Sequence, residues 1–268
     1  MKRTFVLLTG VIFAALFPFC EKTITDSEGK EMCLDEYIAK TGKDRSLIEE
    51  EARSRGIEAS AVLLELYKTV TGVADVIFDC GASQLYDPLC DSTGGEYSKA
   101  GTPTIALEKI EDYIGDMPQD SIDLVFMLDA TGSMSDDILE VKKKLSSIIA
   151  VLSGKYARIS MVMFRDKNVD SVWYARNTNN LIAAGSSELP AFLGTIQPTG
   201  GGDFPESMFD AAHKTITELQ WKSKGRLLVV MTDAGPLTGS KTQYTLQNIT
   251  DLCIEKKVVP FVVLVSVK

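Results

Sequence analysis

Residues 122–134, Ile-Asp-Leu-Val-Phe-Met-Leu-Asp-Ala-Thr-Gly-Ser-Met, constrain this chain more than any other stretch. The opening residues are almost all apolar and include Val125 and Phe126, so they read as a strand buried on both faces, as in the middle of a parallel sheet. The strand ends at Asp129. Thr131, a turn glycine (Gly132) and Ser133 follow, which puts three hard oxygen side chains in one tight loop, the outline of a cation site. Ser135 is placed to cap a helix beyond the loop, and Asp136 and Asp137 suit the positive end of its dipole. Ile138, Val141, Leu145, Ile148, Ile149 and Leu152 give that helix an apolar stripe. This is the first βα unit of an open sheet, and ligands of such sheets sit beyond the carboxyl ends of the strands.

The rest of the C-terminal half repeats the alternation. Strands are predicted at Arg158 to Phe164 and at Ser171 to Arg176, the latter an antiparallel edge. A helix is predicted from Leu189 to Ile196, followed by the glycine-rich stretch Gln197 to Glu206. A helix from Glu206 to Gln220, a strand from Arg226 to Met231 ending in Thr232-Asp233-Ala234-Gly235, a helix from Thr245 to Lys256 and a strand from Val258 to Val265 complete the pattern. Strands and helices alternating at this spacing predict an α/β fold with a doubly wound, mostly parallel sheet and helices on both faces. In that fold the loop at Asp129, the glycine-rich loop with Thr199 and Asp203, and the loop at Asp233 converge on one edge. All of their functional side chains are oxygen donors, which suits Mg2+, or Mn2+ in its place.

The first half has a different character. Lys2 and Arg3 precede an apolar run from Phe5 to Phe19, and Cys20 and polar residues come next. Residues 1–20 read as a signal peptide, too short for a membrane span. Cys20 is either the lipidated first residue of a lipoprotein or a plain thiol of an ordinary secretory signal. Residues 21–119 read as a helical accessory region. It has two helices between Ser46 and Val70 broken at Gly56, a short strand at Val73 to Phe78, a loop from Cys80 to Thr104 and a helix from Ile105 to Ile114. In an exported chain Cys80 and Cys90 are the expected disulfide, bracketing that loop. Cys253 reads as a small buried apolar residue on its helix. With 28 Lys+Arg against 37 Asp+Glu the net charge is −9, which argues against nucleic acid as a partner and suits cations.

Asp129-x-Thr131-x-Ser133, the later Gly-Gly-Gly-Asp203 loop and Thr232-Asp233 after a buried strand together resemble the metal-ion-dependent adhesion site of a von Willebrand factor type A domain, over roughly residues 120–268. The resemblance implies metal ligation by Asp129, Thr131, Ser133, Asp203 and Asp233, with Thr199 as the alternative to Asp203. It also implies a binding role rather than an enzymatic one, in which a carboxylate from a protein or surface ligand completes the metal's coordination. Membrane contact would run only through a lipid on Cys20, and the mature protein would be secreted or held at the cell envelope. The family's six-stranded sheet ends in a strand and a helix that have no counterpart after Val265, so both are expected to be missing or replaced by part of the N-terminal segment. Two rival readings accompany this one. Asp129-Ala-Thr131-Gly132-Ser133 also resembles the nucleophile loop of haloacid-dehalogenase-type, Mg2+-dependent phosphotransferases, with Asp129 attacking a phosphoryl group. Alternatively, the metal only braces a structural component of an envelope assembly.

Overall fold

The computed structural model describes residues 23–25, 31–33, 50, 54–55, 77–152, 154–201 and 205–266. The predicted signal peptide with Cys20, nearly all of the predicted helices between Ser46 and Val70, and Asp203 lie outside the described residues.

In chain order the strands are β1 (Thr23–Thr25), β2 (Glu31–Cys33), β3 (Ile77–Phe78), β4 (Glu96–Ala100), β5 (Ser121–Asp129), β6 (Tyr156–Phe164), β7 (Tyr174–Arg176), β8 (Ile182–Ala183), β9 (Gly225–Thr232) and β10 (Val259–Val265). The α-helices among the described elements are α1 (Cys80–Thr93), α2 (Pro103–Gly115), α3 (Ser135–Val151), α4 (Glu188–Thr195), α5 (Met208–Glu218) and α6 (Leu246–Lys256). Strands β1 to β3 form a small antiparallel sheet in the order β2-β1-β3. The main sheet runs β4-β10-β9-β5-β6-β7, with β8 also paired to β6. Its first five strands are parallel, and β7 and β8 are antiparallel to β6.

The central strands are largely apolar on both sides because helices cover both faces. Leu124, Phe126 and Leu128 of β5 face one core with α2, α3 and α4, while Val125 and Met127 face the other with α1, α5 and α6. Strands β9 and β10 alternate in the same way, for example Val229 against Val230 and Val263 against Val262, as a period of two requires. From β5 the chain winds to β6 on one side and later returns to β9 on the other. The topological switch point therefore lies between β5 and β9, directly above Asp129 and Thr232.

Two sequence expectations need correction. The stretch from Cys80 to Thr104 is not a loop: it holds α1 and β4. Pro88 inside α1 argues against a helix, but Ala82, Tyr86, Leu89 and Cys90 lie at helical spacing and are all buried, and each such side chain contributes about 1–3 kcal/mol. Asp79 also caps the helix, accepting from the amides of Gly81 and Ala82. The Cys80–Cys90 disulfide is excluded for the same reason. Ten residues along one helix separate the two α-carbons by roughly 15 Å, far beyond disulfide reach, and Cys90 is a buried free thiol. Burial pushes the thiols of Cys90 and Cys253 up to about 12, so both act as small apolar groups.

The strand expected to be missing is supplied from upstream. Strand β4 pairs in parallel with β10 from Glu96 opposite Phe261 to Ala100 opposite Val265. Gly95 makes that approach possible, since a Cβ there would stand 2.0 Å from the carbonyl oxygen of Pro260. Helix α2, which follows β4, packs Ala106, Leu107, Ile110 and Ile114 into the same core as α3. The alternative that part of the N-terminal segment replaces the last strand is the one observed.

Candidate functional site

Strand β5 delivers Asp129 to the switch point with no exposed surface. Its carboxylate is held from two sides. Oδ1 accepts from the Thr131 amide at 3.0 Å and the Thr131 hydroxyl at 2.7 Å, and Oδ2 accepts from the Thr232 hydroxyl at the end of β9 at 2.7 Å. The Thr131 and Ser133 hydroxyls are 3.3 Å apart. Ser133 opens onto a short 3-10 turn, Gly132–Met134, that leads into α3. Ser135 does not cap α3 as expected, because its hydroxyl donates to the Gly132 carbonyl.

The glycine-rich loop is tied to this first loop by backbone. The Thr199 amide donates to the Ala130 carbonyl at 3.1 Å, and the Gly132 amide donates to the Gly200 carbonyl at 3.1 Å. Arg165, at the end of β6, reaches across both loops, with Nε on the Ala130 carbonyl at 3.0 Å and its guanidinium on the Gln197 carbonyl at 2.5 Å. Gly201 has φ +73°, and a Cβ there would lie 2.9 Å from Thr131 and 3.2 Å from Glu206 Oε1, so glycine is required on both counts. The third loop closes on the second: the Glu206 amide donates to the Gly235 carbonyl at 2.9 Å, and the Leu237 amide donates to the Glu206 carbonyl at 2.7 Å.

The structure thus brings together Asp129, Thr131 and Ser133 in the first loop and places the buried Asp233 one residue beyond Thr232. Thr199 is exposed, and its amide rather than its hydroxyl is what joins the loops. Sequence reading missed Glu206, taking it for the first residue of a helix. It is only 2% exposed, and its Oε2 meets no hydrogen-bond partner among the described residues. Asp166 and Asp170, beyond β6, complete an acidic neighbourhood that no motif announced. Asp170 lies against Gly200, where a Cβ would stand 1.9 Å from Oδ1.

These charges crowd one another in a dry place. Burial first, and then the charge of Asp233, raises the Asp129 carboxyl to about 7 despite its hydroxyl and amide donors. Burial, and then Asp129, Asp166, Asp233 and Asp170, pushes Glu206 up to about 11. Such a cluster is complementary to a cation. Among the described residues no three His, Cys, Asp or Glu side chains gather into a cage of their own. A metal here would therefore draw on the hydroxyls of Thr131 and Ser133 beside the carboxylates. Hard oxygen donors of mixed charge, together with the orphaned buried oxygen of Glu206, fit Mg2+ or Mn2+.

The sequence model of the von Willebrand factor A domain matches residues 123–267, just over half of the 268 residues. The chain belongs to that family. The match begins within β5, so α1, β4 and α2 lie outside it although they complete the domain's sheet and both its faces. Two crystal structures of the pilus adhesin SpaC from Lactobacillus rhamnosus GG, one of them in an open conformation, also align. They show 18% and 20% identity with TM-scores of 0.35 and 0.34, over 45% of this chain and 16% and 15% of the adhesin. The von Willebrand factor A-like chain thus spans about a sixth of the adhesin's length. No curated protein sequence matches it. No helix among the described residues is long and apolar enough to cross a membrane.

Proposed function

We propose that this von Willebrand factor A domain is a metal-dependent interaction module of an exported protein, holding Mg2+ or Mn2+ at Asp129, Thr131, Ser133 and Asp233. The remaining ligand, from the glycine-rich loop, is Asp203, or Thr199 as its alternative. The observation that carries this reading is the convergence of Asp129, the two hydroxyls and the buried Glu206 at the switch point, with nothing cationic among the described residues hydrogen-bonded to the Asp129 carboxylate. The bound cation would supply Lewis acidity toward an incoming carboxylate. The chain's own residues do the rest: Thr232 and Thr131 orient Asp129, Arg165 and the backbone ties between loops fix their spacing, and Ser133 sits at the outer, half-buried rim. The ligand is then a protein or surface group that offers a carboxylate. The von Willebrand factor A family match over residues 123–267 supports an interaction module over a phosphoryl-transfer enzyme. The likeness to the pilus adhesin is too slight to add weight.

The test is calorimetric titration of the metal-stripped protein with Mg2+ and Mn2+, beside Asp129→Ala. Saturable binding that the folded variant loses, followed by metal-dependent capture of acidic peptides, is the expected result. A folded wild type that binds neither ion refutes the proposal. Metal binding that raises Tm while no carboxylate ligand is ever captured would favour the bracing role.

A further inference from the structure

The third metal loop is gripped by a part of the chain that the family match does not include. Asp79, immediately after β3, is 4% exposed. Its Oδ1 caps α1, and its Oδ2 accepts from the Gly235 amide at 2.6 Å, two residues beyond Asp233. Two turns beyond Asp79 the wholly buried Tyr86 donates its hydroxyl to the Ala234 carbonyl at 2.9 Å. The single peptide group that joins Ala234 to Gly235 is therefore bonded from both sides, its C=O by Tyr86 of α1 and its N–H by Asp79, the cap of that helix. The packing leaves no slack, since a Cβ at Gly235 would stand 3.0 Å from Asp79 Oδ2 and 3.2 Å from the Ala82 amide nitrogen. Loop position is transmitted onward, because the Gly235 carbonyl accepts from the Glu206 amide and thus sets where the glycine-rich loop closes.

We infer that Asp79 and Tyr86 are positioning residues for the metal loops, so that helix α1 sets the affinity of the site for its cation. This rests on the metal reading proposed above. Groups that orient ligands without touching the ion govern affinity because they hold the donors at coordination distance before the ion arrives. The arrangement also gives the segment before residue 79 a mechanical route to the site: β3 leads into Asp79 without a spacer.

The test measures Mn2+ affinity by calorimetry, Tm in EDTA and amide exchange at Gly235, for wild type, Tyr86→Phe, Asp79→Asn and Leu89→Val. Leu89 is buried in α1 but belongs to the core, away from the loop contacts. Tyr86→Phe keeps the ring and should weaken Mn2+ about fivefold, Asp79→Asn roughly tenfold or more, and both should speed exchange at Gly235 before any metal is added. Leu89→Val should lower Tm at least as much as Tyr86→Phe while holding wild-type Mn2+ affinity. Wild-type affinity in both loop-contact variants overturns the inference, as does a loss in Leu89→Val that tracks its Tm. A wild type that binds no Mn2+ instead brings down the metal reading and this inference with it.

Discussion

Asp123 offers the sharpest test of how the sheet is anchored, because it is a fully buried charge at the opposite end of β5 from the loops of the proposed metal site. Its carboxylate accepts two hydrogen bonds from Arg158, at 2.9 and 2.6 Å. Three more come from the Lys222 amide, the Ser223 amide and the Ser223 hydroxyl, at 2.5, 2.9 and 2.7 Å. Burial alone would raise its pKa, but the hydrogen bonds from Ser223, Arg158 and Lys222 outweigh it and hold the group below the usual carboxylate range. Asp123→Ala leaves the two amides without their acceptor and the Arg158 guanidinium with the Gln220 carbonyl in place of a counter-charge. Removing one partner of a buried pair costs about 3–5 kcal/mol, and the individual bonds are not summed because they share one carboxylate. For a domain of this size that is roughly 6–20 °C in Tm. A lowered folded-state pKa means that the stabilisation is present above the unfolded pKa of about 3.9 and is lost as pH falls through the folded value. The gap between wild type and variant should therefore be full at pH 7 and shrink below about pH 4. Urea unfolding followed by the fluorescence of Trp173 and Trp221 reads it directly. A cost under about 1 kcal/mol, or a gap that persists unchanged in acid, would refute this account. The gap should also be the same in EDTA and in Mg2+.

Two further predictions concern the site and the borrowed strand. In the metal-stripped protein the raised pKa values of Asp129 (about 7) and Glu206 (about 11) mean that the folded state binds more protons than the unfolded one, so stability should fall as pH rises from about 4 through 7 and beyond. Saturating Mg2+ should flatten that decline, and equal slopes with and without metal, measured by thermal melts across pH, would contradict the charge balance described. Deleting residues 1–101 removes α1 and β4, bares the β10 edge and strips helix cover from Val262 and Leu264. The remainder should show no cooperative unfolding by circular dichroism, and a sharp transition would mean that the family-matched portion is self-sufficient.

Much of the framework is legible in the amino-acid sequence alone. The apolar run ending in Asp129 marks the central strand, the stripe from Ile138 to Leu152 marks α3, and the sequence around Thr245 marks α6, where Thr245 and Asn248 form a capping box. Burial on both faces leaves a period-free apolar signal, and a half-buried helix leaves a 3.6-residue one. Both are written locally in the chain. The placement of Asp129, Thr131, Ser133 and Asp233 at strand exits is legible too, because each follows such an apolar run.

What only the tertiary structure decided are the features whose partners lie far away in sequence. Strand β4, Glu-Tyr-Ser-Lys-Ala, has no strand pattern of its own and exists because β10 presents an open edge and Gly95 lets the backbones meet. Helix α1 contains a proline and still forms, because the core above β9 and β10 needs Tyr86, Leu89 and Cys90. Glu206, Asp166 and Asp170 look like ordinary surface acids in one dimension. They join the acidic neighbourhood of the proposed cation site only when the loops fold together, since burial, not identity, makes an acidic side chain costly to leave without a partner.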